Sequence, residues 1–364
     1  PGDAVFEGAT FTGAAWFEGA TFTGAAWFEG ATFTGAAWFE GATFTGTARF
    51  GGATFTGDAW FEGATFTGNA RFDGAMFTGD ARFERATFTG DARFGGATFT
   101  GNARFEGATF TGTARFGGAT FTGDAGFERA TFTGAAWFEG ATFTGAAWFE
   151  RATFTGDAGF GGATFTGAAG FERATFTGAA WFEGATFTGA AWFERATFTG
   201  DARFGGATFE KSTYFSPNRT TLADGKSLIK KTKFHKSVSF NQARFNGPIT
   251  FAEVQFGGPA DFSSIHSKVA FSLGGATFAE TPDFIEATFH EPPRLDNVTI
   301  SKPLAKRAAL DGDPRGASGF YHRFAIASDG NEHARFRKLR KMASDGKDHE
   351  NEIRFNAHEI AARR

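Results

Sequence analysis

The stretch Ala20-Thr21-Phe22-Thr23-Gly24-Ala25-Ala26-Trp27-Phe28-Glu29-Gly30 decides the fold. It holds two near-copies of one unit, Ala-x-Phe-x-Gly, with a single extra residue, Ala25, between them. The register extends without a break from Ala4 to Phe209. One Phe series runs from Phe6 to Phe204 and a second from Phe11 to Phe209, each in steps of 11 and each with 19 copies, so the spacings alternate between 5 and 6. In Ala-x-Phe the side chains alternate, so Ala and Phe share one face and the middle residue takes the other. The Gly two residues later suits a corner. One short side cannot bury its Phe; stacked coils can, because each ring then sits about 4.8 Å from the next.

Two substitutions set the coil length. Gly gives way to Arg at Arg85, Arg129, Arg151, Arg173 and Arg195, all separated by multiples of 22. The Glu after Phe gives way to Gly at Gly51, Gly95, Gly117, Gly161 and Gly205, also by multiples of 22 but on the other phase. A coil of 22 residues with four sides of 5, 6, 5 and 6 separates the two sets onto opposite sides. An 11-residue coil has no reason to, although a 22-residue gene duplication would leave the same trace.

Ala20-Thr21-Phe22-Thr23-Gly24 resembles the A(D/N)LxX unit of the pentapeptide-repeat family, and the extra residue in every second unit is like its 11-residue Phe-rich subgroup. The resemblance is tight over 4–209 and looser to about 300. It implies an all-β fold, a right-handed quadrilateral parallel β-helix with the small residue and the Phe pointing inward. The inserted residue departs from the family's unit.

Bulk composition agrees. Phe accounts for 53 and Gly for 52 of 364 residues, with 2 Met, 2 Tyr and no Cys. One slot filled repeatedly gives such a bias. Absent Cys excludes disulfides, thiolate metal sites and Cys nucleophiles. The net charge of -3 is uneven, about -9 over 1–209 and about +6 beyond. No run approaches the ~20 apolar residues of a membrane helix.

Residues 1–209 read as the regular solenoid and 210–300 as its degenerate continuation. There Phe234, Phe240, Phe245, Phe251, Phe256 and Phe262, then Phe278, Phe284 and Phe289, keep the spacing, and Leu222 and Leu228 bridge the weakest part. Residues 301–330 read as a linker. Residues 331–364 read as a short α-helical tail broken at Gly346, with apolar Phe336, Leu339 and Met342 among Arg335, Arg337, Lys338, Arg340 and Lys341. The tail is similar to the segment before the membrane helices of some bacterial pentapeptide-repeat proteins. Its basic run suits an anionic membrane surface; a helix capping the open end of the solenoid is the plainer reading. Opening inside a repeat and closing in a charged run, the chain reads as a piece of a longer protein, cytoplasmic or on the cytoplasmic face of a membrane.

Function must sit on outward positions. The residue before the first-series Phe is Trp (Trp16, Trp38, Trp60, Trp148, Trp192), Arg (Arg71, Arg93, Arg115) or Gly (Gly126, Gly159), and exposed Trp and Arg favour a protein interface. Drift at a permissive site gives the same pattern. Thr10/Thr12, Thr32/Thr34 and Thr54/Thr56 open outward Thr ladders. These resemble the ice-binding face of β-solenoid antifreeze proteins, while the high β propensity of Thr is the plainer explanation. Some pentapeptide-repeat proteins mimic DNA and act on type II topoisomerases, but that needs a strongly acidic rod, and neighbours such as Glu150 and Arg151 are expected to cancel.

Lys226, Lys230, Lys231, Lys233, His235 and Lys236 form a basic stretch, read as solvated Lys on a degenerate coil; nucleic acid is not the expected partner. His349, Glu350, His358 and Glu359 fit no metal-ligand spacing and read as a charged helix face. No nucleophile–base pair or phosphate loop is present, so no cofactor and no catalysis are expected. The expected role is a non-catalytic scaffold for an unidentified protein partner. End coils of a solenoid could also pair with a second copy as a homodimer.

Overall fold

The computed structural model describes residues 2–216, 220–221, 227–228, 230–301 and 331–362. Each coil carries four two-residue strands, as in Ala4–Val5, Thr10–Phe11, Ala15–Trp16 and Thr21–Phe22. Like strands of successive coils pair in parallel: Ala4 faces Ala26 and Thr21 faces Thr43, which fixes the coil at 22 residues. The result is a four-sided parallel β-solenoid of 12, 13, 12 and 13 strands per side, here called faces A, B, C and D in chain order. Faces A and C are opposite, as are B and D.

Two kinds of corner alternate. After Phe the chain makes a β-turn closed by the next Ala, as where the Ala9 N–H donates to the Phe6 carbonyl at 3.0 Å. The third turn residue is left-handed, Gly8 at φ +64°, which explains Gly at that position. Arg85, Arg129, Arg151, Arg173 and Arg195 occupy the same slot at φ +57° to +62°. All five lie at the edge between faces C and D, and the Gly-Gly pairs lie at the edge between A and B.

The inside is a column of phenylalanines. Phe28 stacks on Phe50 one coil away at 4.8 Å and 1°, and meets Phe39 edge-on across the bore at 5.4 Å and 89°. Both arrangements suit the ring quadrupole. From Phe28 to Phe209 these rings and their Ala partners are buried.

The sequence reading fails at Leu228. It lies in an antiparallel hairpin, Thr220 facing Leu228, rather than on a side of the coil, while Leu222 lies outside the described residues. Lys233 therefore pairs with Thr197, 36 residues away instead of 22. Further on, buried Ser267 stands where Phe245 stands one coil earlier, and Phe271 fills the small slot of Ile249. Large and small trade places, and the core stays filled.

Two helices, α1 (Glu332–Asp345) and α2 (His349–Ala362), close the far end. Phe336, Leu339, Met342 and Phe355 are buried there. Two carbonyls of the last coil that lack a following coil receive side-chain donors instead, Ala287 from Lys338 Nζ (2.7 Å) and Val298 from an Arg354 guanidinium nitrogen (2.6 Å), while Asn351 Nδ2 (3.1 Å) joins the turn bond already made to the Leu295 carbonyl.

Candidate interaction faces

The Trp and Arg candidates do not form one surface. Trp16, Trp38, Trp60, Trp148 and Trp192 stand on face C, whereas Arg71, Arg93 and Arg115 stand on face A. Each face carries its own series. Face A reads Trp27, Arg49, Arg71, Arg93, Arg115, Trp137, Gly159, Trp181; face C reads Trp16, Trp38, Trp60, Arg82, Arg104, Gly126, Trp148, Gly170, Trp192, Tyr214.

Parallel register stacks each series on itself. Trp16 and Trp38 lie 5.2 Å apart and Trp38 and Trp60 4.6 Å, with Arg82 over Trp60 at 3.6 Å and Arg49 over Trp27 at 4.0 Å. Only Trp16 is largely exposed, at 66%. Several Arg are held by carboxylates of the same face, Arg115 to Asp91 at 2.9 Å and Arg104 to Asp80 at 3.5 Å. Arg115 holds the Asp91 carboxyl below its ordinary range. The glycines leave no clefts: the Trp137 ring crosses Gly159 to stack on Trp181 at 5.5 Å, and Trp148 crosses Gly170 toward Trp192.

Thr10, Thr32 and Thr54 stand in register on face B, each followed two residues on by exposed Thr12, Thr34 and Thr56. Met76 interrupts that row. Face D has no interruption: Thr21 to Thr197 and Thr23 to Thr199 form two rows over nine coils.

The edge between C and D carries the densest charge. Glu62, Glu84, Glu106, Glu128, Glu150, Glu172 and Glu194 stack one per coil, beside the Arg row. The expected Glu–Arg cancellation is not by contact. No described carboxylate lies within 4.0 Å of Arg129, Arg151 or Arg173. The carboxylates turn the other way, Glu106 and Glu128 reaching 2.5 and 2.9 Å from where a Cβ on Gly126 would stand. Burial, with like charge from Glu128 and Glu84, pushes Glu106 up to about 7; burial, with Glu150 and Glu194, does the same to Glu172.

This unit, stacked four sides to a coil, matches the family description "Pentapeptide repeats" over residues 1–43, 39–87, 83–131, 127–175, 171–217 and 224–266. The chain belongs to the pentapeptide-repeat family. No curated protein and no solved structure gives a significant match.

In this pentapeptide-repeat protein part of the tail's basic run is engaged within the fold, while Arg337 and Lys341 stay exposed. Arg335 meets Asp283 at 3.2 Å, Lys338 caps a carbonyl, and Arg337 and Arg340 both hold Glu359, which is 2% exposed. Glu359 is thus a buried clasp between α1 and α2, not part of a solvated face. His358 stacks on Phe336 at 5.1 Å, and His349 faces Glu352 at 3.5 Å. Among the described residues, no cluster of His, Asp and Glu could hold a metal ion, and no helix is long and apolar enough to cross a membrane.

Proposed function

We propose that this pentapeptide-repeat protein is a non-catalytic scaffold that docks protein partners on its Trp/Arg faces. The observation behind this reading is the pair of self-stacked Trp/Arg ladders on opposite faces A and C, which offer two similar surfaces on one solenoid. Stacked rings and paired Arg are ordered before a partner arrives, so little side-chain entropy is lost on docking. The test compares affinity capture by the parent with two variants, Trp38→Thr/Trp60→Thr on face C and Trp137→Thr/Trp181→Thr on face A. A partner lost by one variant and kept by the other supports the reading. Partners indifferent to both changes, or turnover of a substrate that depends on one side chain, would overturn it.

A second reading is ice binding, favoured by the unbroken double Thr row on face D. It requires thermal hysteresis that disappears in a Thr109→Lys/Thr131→Lys variant. Absence of hysteresis at high protein concentration removes it.

A further inference from the structure

On face A, an acid at the edge toward face B neutralises the Arg of the following coil. Glu29 reaches Arg49 at 3.8 Å, and Glu183 reaches Arg203 at 3.9 Å. The coils between them break that rule. Gly51 stands where the acid facing Arg71 would be, and Asp73, one methylene shorter than Glu, does not come within 4.0 Å of Arg93. Arg115 takes its carboxylate from the other side, Asp91 at 2.9 Å. Asp91 also feels the Arg93 charge, but it accepts its hydrogen bonds from Arg115 and from the Thr113 N–H. No described carboxylate therefore lies within 4.0 Å of Arg71 or Arg93, and the Nε of each has no acceptor in the fold. Face C does the opposite. It keeps Glu at this position in every coil from Glu18 to Glu194, and Asp58 and Asp80 flank Arg82 and Arg104 at 3.5–4.0 Å.

Parallel pairing holds Arg49, Arg71, Arg93 and Arg115 in one line, one per coil, and sets Trp27 and Trp137 at its two ends. The four Arg span roughly 14 Å at about 4.8 Å per step. An α-helix rises about 5.4 Å per turn, so one carboxylate per turn nearly matches one guanidinium per coil. Guanidinium and carboxylate also pair well in shape and charge. From Trp27 to Trp137 the distance is roughly 24 Å, which a helix of about 16 residues covers. Glu29 and Glu139 stand beside the two terminal Trp. A long uniform polyanion such as nucleic acid would run past the Arg onto these acids, whereas a short acidic segment ends before them.

Resting on the reading of face A as a docking face, we propose that its occupant is an acidic amphipathic helix of a partner protein, with one Asp or Glu per turn at its centre and apolar residues at both ends. The carboxylates pair with Arg71 and Arg93, and the apolar ends pack on Trp27 and Trp137.

The test is fluorescence anisotropy of a labelled helical peptide binding to the full chain at two salt concentrations. The peptide carries one Glu per turn on a single face between Leu ends. A peptide of the same composition with its Glu spread around the helix, and a dT oligonucleotide of equal charge, are the comparisons. Two variants keep the fold by using residues already found at the same register. Gly51→Glu/Asp73→Glu copies Glu29 and Glu183, supplies the missing acids and leaves every Arg and Trp in place; Arg71→Ser/Arg93→Ser copies Ser239. Each variant is expected to lose about tenfold in affinity for the one-faced peptide, whose binding should weaken with salt. The spread peptide should bind the parent about threefold or more weakly than the one-faced peptide. No binding by the parent, or equal binding by the parent and either variant, overturns the proposal. So does an oligonucleotide that binds more tightly than the one-faced peptide, which would point to nucleic acid. A captured partner lost with Trp137→Thr/Trp181→Thr but kept with Gly51→Glu/Asp73→Glu would leave the docking face standing and refute the acidic helix.

Discussion

A β-carbon on Gly145 would stand 2.5 Å from the carbonyl oxygen of Gly123, one coil away. The same clash recurs at Gly134 against Gly112 and at Gly156 against Gly134, so this corner is Gly because two backbones nearly touch there. The other corner is Gly for a different reason: Gly140 is left-handed at φ +63° with open space around it. Gly145→Ala is expected to cost about 2–3 kcal/mol by forcing coils apart. Gly140→Ala should cost only about 1 kcal/mol of backbone strain. Urea denaturation followed by circular dichroism compares them, and equal costs would refute the distinction.

The same logic runs in reverse at the Arg row. Arg129 and Arg173 sit at φ +57° and +59° with no β-branch but with a Cβ that this region disfavours. Replacing each by Gly is expected to stabilise the rod by about 0.5–1 kcal/mol, strain relief outweighing the extra freedom gained by the unfolded chain. A raised urea midpoint in Arg129→Gly/Arg173→Gly is the expected result; a lowered one would mean that the guanidinium makes a contact worth more than the strain.

Stability should fall as pH rises toward neutrality. Glu106 and Glu172 hold their protons to about pH 7 in the folded rod against an ordinary value of 4.5, and Glu84, Glu128, Glu139, Glu183 and Glu194 are shifted the same way by burial. Between those values the folded state binds more protons than the unfolded one, so raising pH favours unfolding. Asp91 works in the opposite sense, but only at more acidic pH. The urea midpoint is expected to be higher at pH 5.5 than at pH 8, and Glu106→Gln/Glu172→Gln should flatten the dependence. A midpoint that rises over this interval would contradict the assignment.

Removing the cap's donors should loosen one end only. Lys338→Ala and Arg354→Ala leave the Ala287 and Val298 carbonyls without their side-chain donors, at about 1–3 kcal/mol each. Hydrogen exchange should quicken in α1, α2 and the coils just before them. Coils up to Phe209 should be unaffected, because each coil touches only its neighbours. Faster exchange along the whole rod would show that the cap governs more than its own end.

The inside of this molecule was legible because one physical demand repeats: Ala and Phe must share a face, and a turn must follow. The 22-residue coil could be read from where Arg replaces Gly and where Gly replaces Glu. The outside was harder. A step of 11 residues crosses the rod, so Trp38 and Arg71 look like one series in the chain and stand on opposite faces in space. The pairing of Lys233 with Thr197 depended on the length of an excursion with its own hairpin, Thr220 facing Leu228, which no periodicity encodes. The tail's cations looked available because pairing across two helices, such as Arg340 to Glu359, leaves no mark at local spacing.

The uniformity of the phenylalanine column has a cost in folding. Phe50 stacks on both Phe28 and Phe72, and a strand slipped by one whole coil would set Phe28 against Phe72 and bury the same rings against the same Ala. Within residues 4–209 the local chemistry barely distinguishes correct pairing from pairing one turn out of step, the kind of near-degeneracy that makes a landscape rough. The Ser267/Phe271 exchange, the hairpin at Thr220 and Leu228, and the two helices are the irregular features that have no second home. The far end therefore acts as the origin from which every coil is counted.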